Sequence, residues 1–388
     1  MATTRNPTSH LIDRAVLLVA VASAMIGTGM ITALLAEIQT EYGFADWGLG
    51  LITGSSFIAA FFAYMWLSRY SDRGYARAMF ISGGLVAAAG LLWVAVAGSL
   101  WGFVIARGML GLGEGMFIPA ARRIALDWNP AEPGRELGTI HAAAVAGFVV
   151  GPLAGALLAG PFGLSIPFLI PAAAIILSLP LVARITPAPI PRSAAPGPFR
   201  AVLRRPMVLS GILLGASEFA AIGAVDTIWA RLLTDRGASR TFIGVSLTMM
   251  VLPLAVLAPA GGRLSDRRDP RLVGLIGSMA IVPVFSLYGW LVAPIGIAFA
   301  GGVHSVLMAA VNPSAAVAVA RGSPPEYIAR GQGMLDALGF IFSAGAAMTM
   351  GFTYDRYGPG VSATTMAAAI AGLVFAAYWV SRKELRGR

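Results

Sequence analysis

The sequence predicts an all-α polytopic membrane protein in which twelve transmembrane helices form two related bundles of six. Apolar residues make up 57 % of the 388 residues and charged residues only 12 %, whereas about a quarter of a soluble domain is charged. The apolar residues fall into twelve runs of about 20, the length of a helix that crosses a bilayer. A shift of 194 residues, half of the 388, aligns the two halves, which is typical of paired membrane bundles.

The residues that align in this repeat are charges, prolines and glycines, which interrupt the long apolar runs. Lipid offers backbone groups no hydrogen-bond partner, so runs of this length close their hydrogen bonds within helices. The alternating ten-residue strands typical of a membrane barrel do not occur. The aligned pairs are Asp72 with Asp266, Arg73 with Arg267, Arg77 with Arg271, Pro119 with Pro313, Pro130 with Pro324, Glu132 with Glu326 and Gly151 with Gly345.

The predicted spans divide the chain into an N-terminal bundle (1–184), a proline-rich linker (185–206) and a C-terminal bundle (207–388). The first run continues to Leu35 without a polar break, so we expect a membrane span there rather than a cleaved signal peptide. The predicted spans are 12–36, 47–69, 78–98, 101–123, 138–160, 163–184, 207–232, 241–263, 272–293, 295–319, 332–354 and 361–381.

The basic residues predict the orientation of the chain. Of the 28 basic residues, Arg107 lies inside a span, and Arg231, Arg236, Arg240 and Arg356 lie on one side. All the others share the opposite side with both termini. Because Arg and Lys collect on the cytoplasmic side, we expect both termini and the linker in the cytoplasm of a cell-membrane protein. The net charge of +10 is therefore expected to meet anionic lipid headgroups, and no nucleic acid.

Residues for metal or thiol chemistry are scarce. The chain has no cysteine, and its three histidines, His10, His141 and His304, are far apart in the sequence. We therefore expect no metal site and no cofactor. A membrane enzyme would need a convergent nucleophile and base, and these residues do not supply one. A channel would favour rings of repeated polar residues along a pore, but Glu114 aligns with Met308 and Arg107 with Gly301.

Four sequence motifs carry a resemblance to a known family. They are the loop LSRYSDRGYAR (67–77), the loop GGRLSDRRDPR (261–271), ARGMLGLGEG in span 4 (106–115) and GFVVGPLAG in span 5 (147–155). Together they resemble the motifs of the Major Facilitator Superfamily, although the first loop has Ser68, Tyr75 and Ala76 where the family has Gly, Gly and a basic residue. The resemblance implies two six-helix bundles around a central cavity lined by spans 1, 4, 7 and 10, open alternately to each side.

The two loops are candidates for a cytoplasmic gate. Asp72 is expected against the N-terminus of span 11, near Arg330 and Gly331, because a helix N-terminus carries about half a positive charge. By the repeat, Asp266 would face the start of span 5 near Arg135 and Gly138. Alternatively, these charges only fix the topology. The predicted gating residues are Asp72, Arg73, Arg77, Asp266, Arg267, Arg271, Arg135 and Arg330.

Span 5 carries a candidate hinge. Gly147, Gly151 and Gly155 recur every four residues on one helix face, which lets a neighbouring backbone approach closely. Pro152 removes a backbone donor and weakens the helix at that point. In the family that the sequence resembles, this motif is associated with exporters that exchange their substrate for protons. The alternative interpretation is plain packing of small residues.

Ionisable residues inside the spans are the candidate transport site. Placing a charged side chain at the depth of the bilayer centre costs about 2.5–3.5 kcal/mol, so each of these residues is expected to have a partner or a function. Arg107 and Glu114 lie seven residues apart on one face of span 4, about 10 Å along the axis, so another group is expected between or opposite them. Glu218 in span 7 is our first candidate for a proton site. Asp226 is expected to form a static pair with Arg231 or, alternatively, to take part in transport. His304 either lines the cavity or forms a hydrogen bond to a neighbouring helix.

The favoured function is proton-coupled export of a small, partly apolar organic solute by alternating access. The alternative is an organic-anion and proton symporter, because Arg107, Glu114 and Pro119 also resemble the anion–cation symporter branch of the superfamily. That branch often has a second basic residue in span 1, and here only Arg14, at the edge of the span, is available. We expect the chain to work as a monomer with a small molecule, protons and lipid as its partners.

Overall fold

The computed structural model describes residues 7–126, 128, 133–185, 203–324 and 327–386, which are helical almost throughout and contain no strand. The helices follow the predicted spans. They are α1 (Pro7–Tyr42), α2 (Asp46–Phe62), α3 (Ala76–Val96), α4 (Leu100–Leu126), α5 (Pro133–Phe162), α6 (Ile166–Val182), α7 (Pro206–Asp235), α8 (Arg240–Arg267), α9 (Pro270–Leu287), α10 (Pro294–Gly322) and a last helical segment, Ile328–Arg386.

The last segment is two helices joined at a break. Ile328–Arg386 is 59 residues long, and Gly358 inside it has φ 77° and ψ 179°. Glycine reaches this positive φ without the clash of a Cβ atom, and the ring of Pro359 disfavours a helical conformation at the residue before it. The segment therefore contains α11 (residues 328–357) and α12 (residues 359–386).

The described helices account for twelve membrane crossings. Ten helical segments are long and apolar enough to span a bilayer, and the last of them contains both α11 and α12. The shorter apolar helix α6, with 17 residues, supplies the remaining crossing. The predicted all-α fold with twelve spans is confirmed, and the chain is a multi-pass membrane protein.

One helix ends before its predicted limit, and most of the predicted linker is not described by the structure. α9 ends at Leu287, before the predicted limit of 293, because the chain turns at Gly289. A Cβ atom there would lie 2.1 Å from the carbonyl oxygen of Pro359. Most of the predicted linker, residues 186–202, lies outside the described part of the chain.

Each half of the chain packs mainly on itself. In the first half, α1 contacts α5 and α6, α3 contacts α4 and α6, and α2 contacts α4. In the second half, α7 contacts α10 and α11, α10 also contacts α8 and α9, and α9 contacts α12. The halves meet where α2 crosses α11 and where α5 crosses α8. A Cβ atom on Gly50 of α2 would lie 2.6 Å from the carbonyl oxygen of Ala347 in α11, so glycine lets these backbones touch.

The two ends of the molecule differ in the ion pairs that join the two bundles. We call the end that carries the chain termini the proximal end and the opposite one the distal end. At the distal end Arg231 of α7 lies 3.0 Å from Asp46 of α2, and Arg240 of α8 pairs with Glu37 of α1. We refer to these two pairs as the distal latch.

At the proximal end, the described ion pair between the bundles is longer. Arg122 of α4 and Asp336 of α11 are 4.0 Å apart, and their side chains are 38 % and 36 % exposed. A pair this long and exposed contributes little to binding the bundles together. Among the described ion pairs between the bundles, those at the distal end are therefore shorter and less exposed.

Candidate functional site

Charged side chains from α4 and α7 and a hydroxyl from α1 converge where the two bundles face each other. Arg107 of α4 is 3 % exposed, and its Nη1 atom has no hydrogen-bond partner in the part of the chain that the structure describes. Two turns further along α4, Glu114 accepts a hydrogen bond from the hydroxyl of Thr28 in α1. Burial of both groups limits their screening by solvent, so each acts strongly on its charged neighbours.

The third member of this group is Asp226 of α7. Arg107 interacts electrostatically with Glu114 of its own helix and with Asp226 across the boundary between the bundles. The predicted static pair of Asp226 with Arg231 is wrong, because Arg231 instead lies 3.0 Å from Asp46 and 3.3 Å from Asp235. Five residues along a helix correspond to a rotation of about 140°, so Asp226 and Arg231 lie on different faces of α7. We call Thr28, Arg107, Glu114 and Asp226 the upper site.

A second polar group surrounds Glu218, nearer the proximal end. Glu218 is 3 % exposed, and its Oε1 atom accepts a hydrogen bond of 2.7 Å from the amide of Asn312 in α10. Asn312 itself is exposed. Because polar groups at membrane depth face a bundle interior or a water-filled space, we infer that this amide faces away from lipid.

Three further residues at this site were not predicted. Asp336 of α11 interacts electrostatically with Glu218, and Tyr64 of α2 lies within electrostatic reach of Arg122, Asp336 and Glu114. Asp336 lies inside the predicted span 332–354, whereas Arg122 lies at the very end of the span 101–123. The criterion that selected Glu218, an ionisable residue within a span, would have selected Asp336, but it places Arg122 among the basic residues that flank the spans. We call Tyr64, Arg122, Glu218, Asn312 and Asp336 the lower site.

His304 lies apart from both sites, so it does not line a central cavity as one interpretation predicted. Its Nδ1 atom is 2.8 Å from the hydroxyl of Tyr288 in α9, and the ring packs edge-on against Phe285 at 5.8 Å. The side chain is buried within the C-terminal bundle at 1 % exposure. The other predicted interpretation, a hydrogen bond to a neighbouring helix, describes this contact.

The glycine face of α5 packs directly against α1. A Cβ atom on Gly147 would lie 2.3 Å from the carbonyl oxygen of Ala22, and one on Gly151 would lie 2.5 Å from that of Ile26. Gly155 continues the same contact along Met30. The close backbone approach expected from the spacing of these glycines is present, and its partner is the helix that carries Thr28.

On its other side, α5 contacts the opposite bundle near Pro152. Thr248 of α8 donates a hydrogen bond of 2.8 Å to the carbonyl oxygen of Val149. A Cβ atom on Gly244 of α8 would lie 2.8 Å from the carbonyl oxygen of Pro152. The weakened turn of α5 therefore lies between α1, in its own bundle, and α8, in the other.

The second loop does not make the contact expected of a gate in this structure. Asp266 accepts a hydrogen bond of 3.1 Å from Arg321 at the end of α10, rather than facing Arg135 and Gly138 at the start of α5. A Cβ atom on Gly138 would have nothing within 4 Å. Glu136, in the first turn of α5, instead pairs with Arg14 of α1 at 2.8 Å.

Three of the other predicted gating residues make contacts within their own half of the chain. Arg271 is 1 % exposed and holds Asp269, the cap of α9, through two hydrogen bonds of 3.1 and 2.9 Å. Arg77 donates to the carbonyl oxygen of Ala183 at 3.3 Å. The side chain of Asp72 lies outside the described residues, so its contact with the start of α11 stays a prediction. Of the rest, Arg73 lies over the ring of Tyr70, Arg267 is exposed, and Arg330 lies near the start of α11.

No arrangement suited to a metal ion occurs within the described ranges, where no three His, Cys, Asp or Glu side chains come together. The chemistry that the two sites offer is that of carboxylates, one buried guanidinium, an amide and hydroxyls. Such groups bind ions, donate hydrogen bonds and exchange protons.

Comparison with known proteins identifies relatives of the chain. The model of the Major Facilitator Superfamily matches residues 17–230. The multidrug resistance protein MdtG of Salmonella paratyphi C (strain RKS4594) is 28 % identical over 247 residues, which cover 60 % of this chain and 61 % of MdtG. MdtG of Klebsiella pneumoniae (strain 342) is 28 % identical over 248 residues, or 60 % of each chain. The match thus spans about three fifths of these relatives.

Solved structures share the fold over nearly the whole chain. A bacterial homolog of the human lysosomal transporter Spinster, in an inward-facing and unoccupied conformation, has a TM-score of 0.82 at 17 % identity and covers 99 % of both chains. The nucleoside transporter NupG has a TM-score of 0.76 at 14 % identity, and the match covers 95 % of this chain and 98 % of NupG.

Proposed function

This chain belongs to the Major Facilitator Superfamily, and on that premise we propose that it is a secondary active transporter that exports a small organic solute in exchange for protons. The observation that carries the proposal is the pair of polar sites between the bundles. Each contains carboxylates that are buried or half-buried, and both sites lie where two rigid bodies that rock against each other would expose them alternately.

Proton coupling requires a group that can bind a proton when the sites face one side of the membrane and release it when they face the other. Arg107 stays charged in proteins and cannot take this role. Glu114 and Glu218 can, and each accepts a hydrogen bond from a side chain on another helix, Thr28 or Asn312. We therefore assign the proton to one of these two glutamates, with Glu218 as the first candidate because no Arg or Lys contacts it within the described residues.

The direction of transport is inferred from two features. The curated relatives carry the name multidrug resistance protein, which suggests that this chain also moves solutes outward. The glycine face and Pro152 of α5 resemble the motif associated with proton-exchanging exporters, and they lie between α1 and α8. We propose that α5 flexes there as the bundles rock, with both termini in the cytoplasm and a single chain as the functional unit.

A symporter of organic anions is the second candidate. It is favoured by the Nη1 atom of Arg107, which is buried and has no hydrogen-bond partner among the described residues. A buried donor left unsatisfied costs about 1–3 kcal/mol, and a solute carboxylate would satisfy it. Against this interpretation, Glu114 and Asp226 already place two carboxylates within electrostatic range of the same guanidinium.

The test is transport by the purified protein in liposomes with an imposed pH gradient. We expect ethidium or chloramphenicol to move against its own gradient only while the proton gradient is present, and Glu218→Gln to abolish this movement. The symporter interpretation replaces ours if 2-naphthoate enters together with protons and its uptake depends on Arg107. The proposal fails if none of the three solutes responds to the proton gradient.

A further inference from the structure

Three aromatic rings surround the ring of Phe340 in α11 at the level of the lower site, so that four rings form one cluster. Phe57 stacks on Phe340 with ring centroids 6.2 Å apart. Tyr64 lies at 5.1 Å and Phe219 at 5.5 Å. Phe57 and Tyr64 belong to α2 and the turn that follows it in one bundle, whereas Phe219 and Phe340 belong to α7 and α11 of the other. We call these four rings the Phe340 cluster.

The cluster differs from the other aromatic residues of the second span. Phe62 and Trp66 are 50 % and 45 % exposed and stack on each other at 5.1 Å, which is the arrangement expected of rings that face lipid. All four rings of the Phe340 cluster are instead half-buried and cross the boundary between bundles. Rings packed across a surface that must separate during rocking are not part of either bundle's permanent core.

Two carboxylates lie near the cluster. Asp336 lies one helical turn before Phe340, a spacing that brings two side chains together on one face. Glu218 immediately precedes Phe219 in α7, so the two side chains point in directions about 100° apart. Asp336 is also within electrostatic reach of Tyr64 and of Glu218. Arg122 lies 4.0 Å from Asp336, but no basic side chain contacts Glu218 within the described ranges. The rings therefore lie beside one acid that has no basic partner there.

The charge of the two sites favours a cation. Together they contain four acids, Glu114, Asp226, Glu218 and Asp336, and two bases, Arg107 and Arg122. The face of an aromatic ring carries partial negative charge and attracts cations within about 6 Å of its centroid. A flat organic anion would meet both the ring faces and the excess acids unfavourably.

We propose that the Phe340 cluster, together with Glu218 and Asp336, is the subsite for the positively charged, ring-bearing part of the transported solute. The solute class is then a lipophilic organic cation that carries an aromatic ring. The rings stack on the solute's own ring, and the carboxylates balance its charge. This inference rests on the proposed function, because it assumes that the space between the bundles is the transport route.

Equilibrium binding of tritiated tetraphenylphosphonium to the purified protein tests the subsite without requiring transport. Ethidium should displace the bound cation. Tetramethylammonium, which lacks rings, and 2-naphthoate, which is flat but negative, should not. Phe340→Leu and Glu218→Gln should each weaken binding about tenfold, the size expected for a desolvated cation–π contact, and Phe340→Trp should retain it.

Phe352→Leu is the matched control, because Phe352 lies on the same helix and is 58 % exposed. Size-exclusion profiles of all variants establish that each one is folded. The inference is overturned if no displaceable binding occurs, if Phe340→Leu and Phe352→Leu bind equally well, or if 2-naphthoate competes as effectively as ethidium. Proton-driven movement of a neutral or anionic solute combined with absent cation binding would refute the subsite and leave the proposed function standing. Cation binding without any proton-driven transport would refute the proposed function and leave the subsite standing.

Discussion

Individual side chains decide which carboxylate carries the proton. Glutamine at position 218 keeps an oxygen that accepts the hydrogen bond of Asn312, but it cannot exchange a proton. We therefore expect Glu218→Gln to reduce proton-driven solute movement at least about tenfold, in the range attributed to positioned acid–base groups. Exchange of labelled for unlabelled solute at equal pH on both sides should continue once the solute is saturating, because exchange needs no change of protonation and the weaker binding of the variant is then overcome.

The measurement is solute movement in liposomes with and without a pH gradient, and Glu41→Gln at the exposed distal rim is the control. Loss of both activities even at saturating solute would indicate that Glu218 serves binding and does not carry the proton. Retention of both activities would indicate that Glu114, rather than Glu218, carries the proton.

The interaction between Arg107 and Asp226 also depends on individual side chains, and each bundle contributes one of the two charges. Removing one member of a buried pair leaves the other charge uncompensated, at a cost of about 3–5 kcal/mol when no other partner is present. Glu114 also interacts with Arg107, so we expect a smaller loss, about 1–3 kcal/mol, for either Arg107→Met or Asp226→Asn. The double variant should lose less than the sum of the two.

Thermal unfolding of the detergent-solubilised single and double variants measures this coupling. An interaction free energy of about 0.5 kcal/mol or more indicates contact, whereas distant sites add within about that amount. Strict additivity would show that the two charges act independently.

At the scale of whole helices, the contact of α5 with α1 gives a sharp contrast between the two repeats. Gly151 and Gly345 occupy equivalent positions in the repeat. A Cβ atom on Gly151 would lie 2.5 Å from the carbonyl oxygen of Ile26, but one on Gly345 would have nothing within 4 Å. Gly151→Ala should therefore destabilise the protein by about 1–3 kcal/mol through overpacking. Gly345→Ala should stabilise it by up to about 1 kcal/mol, because alanine favours a helix.

The melting temperatures of these two variants, with transport measured in parallel, test the role of the motif. If Gly151→Ala folds and melts like the parent, the close approach of α5 to α1 is not tight in solution. If Gly151→Ala melts lower yet transports at the parental rate, the glycines serve packing alone.

The helices were predictable from the sequence because their length and apolar character are local properties. Even the repeat and the spacing of Gly147, Gly151 and Gly155 followed from positions along the chain. The partners of charged residues did not, because they depend on how far each helix is rotated. Asp226 and Arg231 are close in sequence but lie on different faces of α7, and Asp226 instead interacts with α4. The side chain of His304 likewise contacts α9, a direction that no spacing within α10 specifies.

At the scale of the whole molecule, the distal latch holds the two bundles together at the end opposite the chain termini. Its side chains are between 15 % and 35 % exposed, so each pair contributes roughly 0.2–1 kcal/mol. If both termini are cytoplasmic, as proposed, the structure is closed to the outside. The described ion pair between the bundles at the proximal end is longer, with Arg122 and Asp336 4.0 Å apart.

Opening the distal latch should shift the balance between the two states. Replacing Arg231 and Arg240 by alanine together removes up to about 2 kcal/mol from the distally closed state, which corresponds to a population change of up to about thirtyfold. Double electron–electron resonance should then show a longer distal distance and a shorter proximal distance in the double variant than in the parent. Lysine at both latch positions should restore the parental distributions, because it keeps the charge.

The labels for this measurement can be placed one at a time, because the chain has no cysteine and spin labels attach only where one is introduced. Exposed Ala45, immediately before α2, and Arg356 of α11 report on the distal end, and exposed Ala78 and Arg268 report on the proximal end. Rigid bundles that rock about the sites between them must lengthen one distance while they shorten the other. A distal distance that grows while the proximal distance stays fixed would mean that the latch loosens one end locally, and the two bundles would then not move as rigid bodies.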